Sequence, residues 1–224
     1  SGDQWRDWAR VFDPARLKRM MQVNGDIMVR SVLLTGSFTT FLFIGSGIGD
    51  VNLAANQILL QFVEITAFAL DGFAFSAEAL VGGAVGAKAR ERVRRASVIT
   101  SQWGVGGAVL LGIAFAAGGP WLIDLMSTSP EVRAAGRVFL VWAAVLPVLS
   151  VASYMFDGIY IGATWTRDMR WAMLQSVAIY VMALLLLVPA FGNHGLWASL
   201  IVLNIARGVT LGLRYPRLEA QVGV

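Results

Sequence analysis

Of the 224 residues 57% are hydrophobic, and the 24 glycines raise the apolar share to about 68%, against ~45–50% in a soluble globular domain. Only 14% are charged, the net charge is +4 and there is no cysteine. These values exclude a disordered chain and a disulfide scaffold, and they leave more apolar surface than a soluble protein of this size can bury. The chain reads as an integral membrane protein.

The first segment, residues 1–23, is charged and has no apolar stretch of signal-peptide type. From Asp3 to Val23 it sets Trp5, Trp8, Val11 and Phe12 against Arg6 and Arg10. That pattern predicts an amphipathic interfacial segment; a loose chain end is the alternative. Six apolar stretches follow, each long enough to cross a ~30 Å hydrocarbon core: Ile27–Ile48, Val51–Val85, Ser97–Gly119, Val138–Ala163, Trp171–Phe191 and Leu196–Leu213. The organisation expected is an interfacial segment (1–23), an all-α bundle of six transmembrane helices (24–218) and a short tail (219–224).

The connections are short. Gly49-Asp50 predicts a tight turn, Lys88–Arg95 a basic loop, and Gly192–Gly195 a small polar turn. Ser129, Pro130 and Glu131 together are a helix-start signal: a capping hydroxyl, a proline at the first helical position and an acid in the first turn. Basic residues precede span one and follow spans two, four and six, so that 14 of the 18 lie on one side if the spans number six. Five spans would put basic clusters on opposite faces. The positive-inside rule therefore predicts a multi-pass protein with both ends of this chain cytoplasmic. Charge placed this way is an orientation signal and not a nucleic-acid surface. Trp165 and Trp171 on one side, and Trp121 and Trp197 on the other, fit interfacial belts.

Span two carries the chemistry. Gln57, Gln61, Glu64, Asp71 and Glu78 recur at steps of 4, 3, 7 and 7, which places them on one longitudinal stripe of a helix. An acid near the bilayer centre costs ~2.5–3.5 kcal/mol on insertion scales, so the stripe should face a cavity or a neighbouring helix. Each such acid is either half of a structural pair or part of an ion or substrate path. In span one, Asp26 and Arg30 stand at i, i+4 with the acid first, the spacing of a structural pair. Asp157 lies near the end of span four, and Asn204 and Arg207 lie one turn apart in the last span. Arg207 keeps its charge in any environment, so it needs a partner, and Asp157 or Glu78 stands at similar depth. Glycine pairs at GxxxG spacing (Gly82/Gly86, Gly158/Gly162, Gly208/Gly212) predict close helix approach, and Pro147 predicts a kink in span four. His194, the single histidine, falls in an outer turn and reads as a surface residue. With no cysteine and a single histidine a zinc site is not expected, and no phosphate-loop, metalloprotease or serine-hydrolase motif occurs, so neither a metal, a cofactor nor an enzymatic activity is expected.

Taken in order, Leu53–Ile58, Asp71–Gly82, Gly86-Ala87 with its basic loop, Asn24–Arg30, Ser129–Val132 and Asp157–Thr164 with Met169-Arg170 resemble the multidrug and toxic compound extrusion (MATE) transporters, most nearly their DinF-like branch. The similarity runs from about Trp8 to Leu218. It implies one lobe, the C-terminal six helices, of a twelve-helix fold in the bacterial inner membrane. The implied activity is export of small organic, cationic compounds in exchange for a cation, with a missing N-terminal lobe and the bilayer as partners. Sodium-coupled relatives carry an acid inside the helix that matches span one; near Leu33-Leu34-Thr35 this sequence has none, so the proton is the expected coupling ion. A lipid-linked-substrate flippase of the wider superfamily and an inactive isolated lobe are the alternative readings.

Overall fold

The computed structural model describes residues 7–224. Seven helices follow in chain order: α1 (Trp8–Val11), α2 (Pro14–Ile48), α3 (Asp50–Gly86), α4 (Arg90–Met126), α5 (Pro130–Gly162), α6 (Thr166–Phe191) and α7 (Asn193–Gln221). The last six are each long and apolar enough to cross a membrane. Even the shortest of them, 26 residues, is roughly 39 Å long at 1.5 Å per residue, more than the hydrocarbon core requires. Large apolar side chains such as Leu110, Leu185, Leu186 and Leu213 point outward, as they do when the solvent is lipid.

Local chemistry sets the helix ends. Ser129 caps α5 by accepting a hydrogen bond from the Val132 amide at 3.5 Å, with Pro130 at the first helical position. Asp13 does the same for α2 through the Ala15 amide at 3.2 Å, with Pro14 next to it. The first long helix therefore starts at Pro14, well before the apolar stretch, and it runs without a break through Val23, where the interfacial segment was expected to end. Asp3, Trp5 and Arg6 of that segment lie outside the described residues. Gly49, at φ 145°, makes the α2–α3 corner in a conformation that side chains with a Cβ rarely adopt. The outer polar turn is shorter than its sequence suggests: Gly192 alone connects α6 to α7, and Asn193 and Gly195 are buried in the first turn of α7. The tail is also tied down, since Glu219 is buried and pairs with Arg94 at 2.8 Å.

Helix α5 is central, packing on α3, α4 and α7, while α2 leans mainly on α6. The α3–α5 contact is backbone to backbone. A methyl group on Gly158 would overlap the main chain at Ala74, and one on Gly162 would overlap it at Glu78. Small residues let helices approach this closely without displacing side chains. The core divides into two clusters, one around Phe41, Phe62 and Trp197 and one around Leu70, Met155, Tyr160 and Leu211. Pro147 is buried within α5, which remains one helix through it.

Trp197 corrects an expectation. It is not an interfacial residue but is 0% exposed, packed edge-on against Phe41 with its indole N–H donating to Asn56 Oδ1 at 2.8 Å. Asn56 and Asn193 exchange two further amide hydrogen bonds of 2.7 and 2.9 Å. Two buried amides and an indole thus satisfy one another and clasp α3 to α7 at the end of the bundle remote from the basic loops. His194 is exposed and accepts a hydrogen bond from the Trp142 indole at 3.0 Å.

Candidate functional site

The stripe on α3 meets a cavity of about 370 Å³ enclosed by α2, α3, α5 and α7. Three of its members, Glu64, Asp71 and Glu78, line that cavity, and they share it with Asp157 from α5, Arg207 from α7 and Arg30 from α2. Seven-residue steps space the three acids roughly 10 Å apart along the helix. Gln57 and Gln61, the first two members, are exposed and lie outside the cavity lining. The remaining wall is apolar and aromatic, with Leu34, Phe38, Phe75 and Tyr154 among it.

At one end stands an ion-pair cluster. The Arg207 guanidinium donates from Nη2 to Asp157 Oδ2, and Arg30 Nη1 stands 3.9 Å from that same oxygen. Arg207 Nη1 also donates to Asn204 Oδ1 at 3.4 Å, and Asn204 in turn donates to the Leu200 carbonyl at 3.0 Å. The side chains of Arg207 and Asp157 are 4% and 12% exposed, that of Arg30 19%. Burial this deep is tolerable only because each charge faces an opposite one. With every acid ionised, four carboxylates face two guanidinium groups, and the cavity carries a net −2. Asn204 therefore supports the cluster from behind and does not line the cavity.

The expected Asp26–Arg30 pair is not made. Asp26 accepts a hydrogen bond from the Thr166 hydroxyl at 3.0 Å and pairs with Arg170 at 2.8 Å, joining α2 to the start of α6. Arg30 turns to the cavity and to Asp157. The i, i+4 spacing sets which residues share a face of one helix, but a neighbouring helix with a better-placed charge wins. Arg30 thus joins the cavity residues, together with Tyr154 of α5. An arginine inside a span was the signal for Arg30; its partner on another helix was invisible.

The gathering of these side chains depends on the α3–α5 contact. Gly158 follows Asp157 directly and also lines the cavity, so the close approach that it permits brings the Asp157 carboxylate towards the acids of α3.

The comparisons with known proteins agree with this architecture. The MatE family model matches residues 27–189. DNA damage-inducible protein F of Escherichia coli is 35% identical over 208 residues, which are 89% of this chain and 43% of that protein. Protein DETOXIFICATION 42 of Arabidopsis thaliana is 22% identical over 184 residues, covering 82% of this chain and 36% of that one. Among solved structures, the Vibrio cholerae MATE transporter VcmN in its bent form superposes with a TM-score of 0.84 at 20% identity, over 97% of this chain and 49% of that one. A MOP superfamily transporter from Pyrococcus furiosus gives 0.79 at 15% identity, over 88% and 44%. The chain thus spans less than half the length of the curated relatives it matches. Family match, identity and fold agree for this multi-pass membrane chain: it belongs to the MatE family.

Proposed function

We propose that this chain is the C-terminal lobe of a secondary antiporter that expels organic cations in exchange for protons, and that the acidic cavity is its share of the transport path. One observation carries the reading: three acids of a single membrane-spanning helix open into one cavity whose remaining charges are already paired. An acid with no fixed counter-ion attracts either a cationic substrate or a proton, and competition between the two couples their movements. Helix α2 carries no acid near Leu33-Leu34-Thr35, where sodium-coupled relatives have one, which favours the proton over sodium. The position of the basic loops supports cytoplasmic ends for this chain in a bacterial inner membrane. Rocking around a central site needs a second body, so residues 1–224 alone are expected to transport nothing.

The test is efflux of a cationic dye from cells that express the full-length protein. A Glu64→Gln, Asp71→Asn double variant should abolish it at normal expression levels; undiminished efflux would return these acids to a structural role. A lipid-diphosphate flippase would need a cationic cavity, and four acids against two arginines argue the other way. Binding of a lipid diphosphate in place of the dye would reverse that choice.

A further inference from the structure

A second cavity, of about 770 Å³, opens on the side of the bundle at its basic end, between α4, α5 and α7. Helices α4 and α7 touch each other little, which leaves a groove between them floored by α5. It is graded in chemistry along α4. Arg90 and Arg94 stand at the mouth, Ser97 and Ser101 come next, and Val98 and Val105 continue into the depth of the membrane, facing Phe156 and Ile159 of α5. Steps of three and four residues keep all of these on one side of α4. One acid, Glu219, also lines the mouth, but Arg94 holds it at 2.8 Å, so the charge of Arg90 is left over. The amino end of α4 has no side-chain cap, and Glu91 in its first turn offsets part of the positive end of the dipole.

Ser97, 5% exposed, and the Tyr215 hydroxyl add polar groups to the wall beneath these arginines, and Tyr215 reaches towards both Ser97 and Glu219. A cation and hydroxyl donors at headgroup depth, above an apolar slot open to lipid, have the profile of a phospholipid.

We propose that this groove binds one anionic phospholipid of the leaflet on the basic side, its phosphate held by Arg90 and Arg94 and an acyl chain lying along Val98, Val105 and Phe156. The site is separate from the acidic cavity and does not depend on the transport reading.

The experiment is a lipid titration of the purified, delipidated protein in detergent, followed by thermal unfolding and by native mass spectrometry. Phosphatidylglycerol should bind saturably with one tightly held molecule and raise the unfolding temperature, while phosphatidylcholine should do so weakly. Replacing Arg90 by Gln should weaken phosphatidylglycerol about tenfold, the value of one charge-assisted hydrogen bond. Val98→Trp should block the apolar slot with the same result. Arg92→Gln is the control, since Arg92 is on the same turn but does not line the groove. Equal binding of both lipids, an equal loss in Arg92→Gln, unchanged binding in Arg90→Gln, or the same stabilisation by glycerol phosphate alone would each overturn the proposal.

Discussion

Asp157 is the residue on which the charge balance of the acidic cavity rests, and changing it to Asn tests that balance directly. The substitution keeps volume and one acceptor oxygen but removes the carboxylate paired with Arg207, whose side chain is 4% exposed, and with it the carboxylate that stands 3.9 Å from Arg30. Breaking a buried pair by removing one partner costs ~3–5 kcal/mol, and the acceptor that Asn retains offsets ~1 kcal/mol of that, so a loss of about 2–4 kcal/mol is expected. Asp26→Asn supplies the comparison. Its partner Arg170 is 32% exposed and the Thr166 hydroxyl retains an acceptor, so water screens the loss to about 1 kcal/mol. Equilibrium unfolding in mixed detergent and SDS micelles measures both. A double-mutant cycle with Arg207→Leu then separates pairing from packing: once both charges are gone, most of the loss should be recovered. The reasoning fails if Asp157→Asn costs no more than Asp26→Asn, or if the two changes at Asp157 and Arg207 simply add.

Two further outcomes follow from packing. Gly158→Val should sharply lower the yield of folded protein, because its Cβ meets the backbone at Ala74, whereas Gly72→Ala, with open space around it, should be neutral or stabilising by up to ~1 kcal/mol; thermal unfolding of the purified variants distinguishes the two. Asn56→Ala should cost about 2–3 kcal/mol by leaving the Asn193 amide and the Trp197 indole N–H without a partner, and it should red-shift tryptophan emission as Trp197 becomes wet.

Much of this molecule is legible in its residue order, because the features concerned are local. A run of ~20 apolar residues spans a bilayer wherever it occurs, so six spans could be counted before any contact was known, and six long helices match them one to one, the fourth ending one residue short at Gly162. The start of α5 was readable because Ser129 and Pro130 act within one turn. The Asp13-Pro14 pair is the same signal at α2; there the strong hydropathy change at Ile27 drew the boundary instead. The seven-residue rhythm of Glu64, Asp71 and Glu78 was visible as a stripe, since a single helix defines it.

What stayed hidden depends on how one helix sits against another. The same stripe begins with Gln57 and Gln61, yet only its later members face the cavity, because the cavity extends along only part of α3 although the bundle packs on the whole helix. Asp26 and Arg30 share a helix face but bond to Arg170 and Asp157, since a charge finds its lowest energy with the best-placed partner, not the nearest in sequence. Trp197 has the composition of a belt residue and the position of a core residue because Asn56 accepts its indole proton from another helix. The amino-acid sequence by itself determined a membrane protein of six helices with an acidic seam. Only the tertiary structure, through the close helix approach permitted by Gly158 and Gly162, decided that Glu64, Asp71 and Glu78 share one cavity with the paired Asp157 and Arg207.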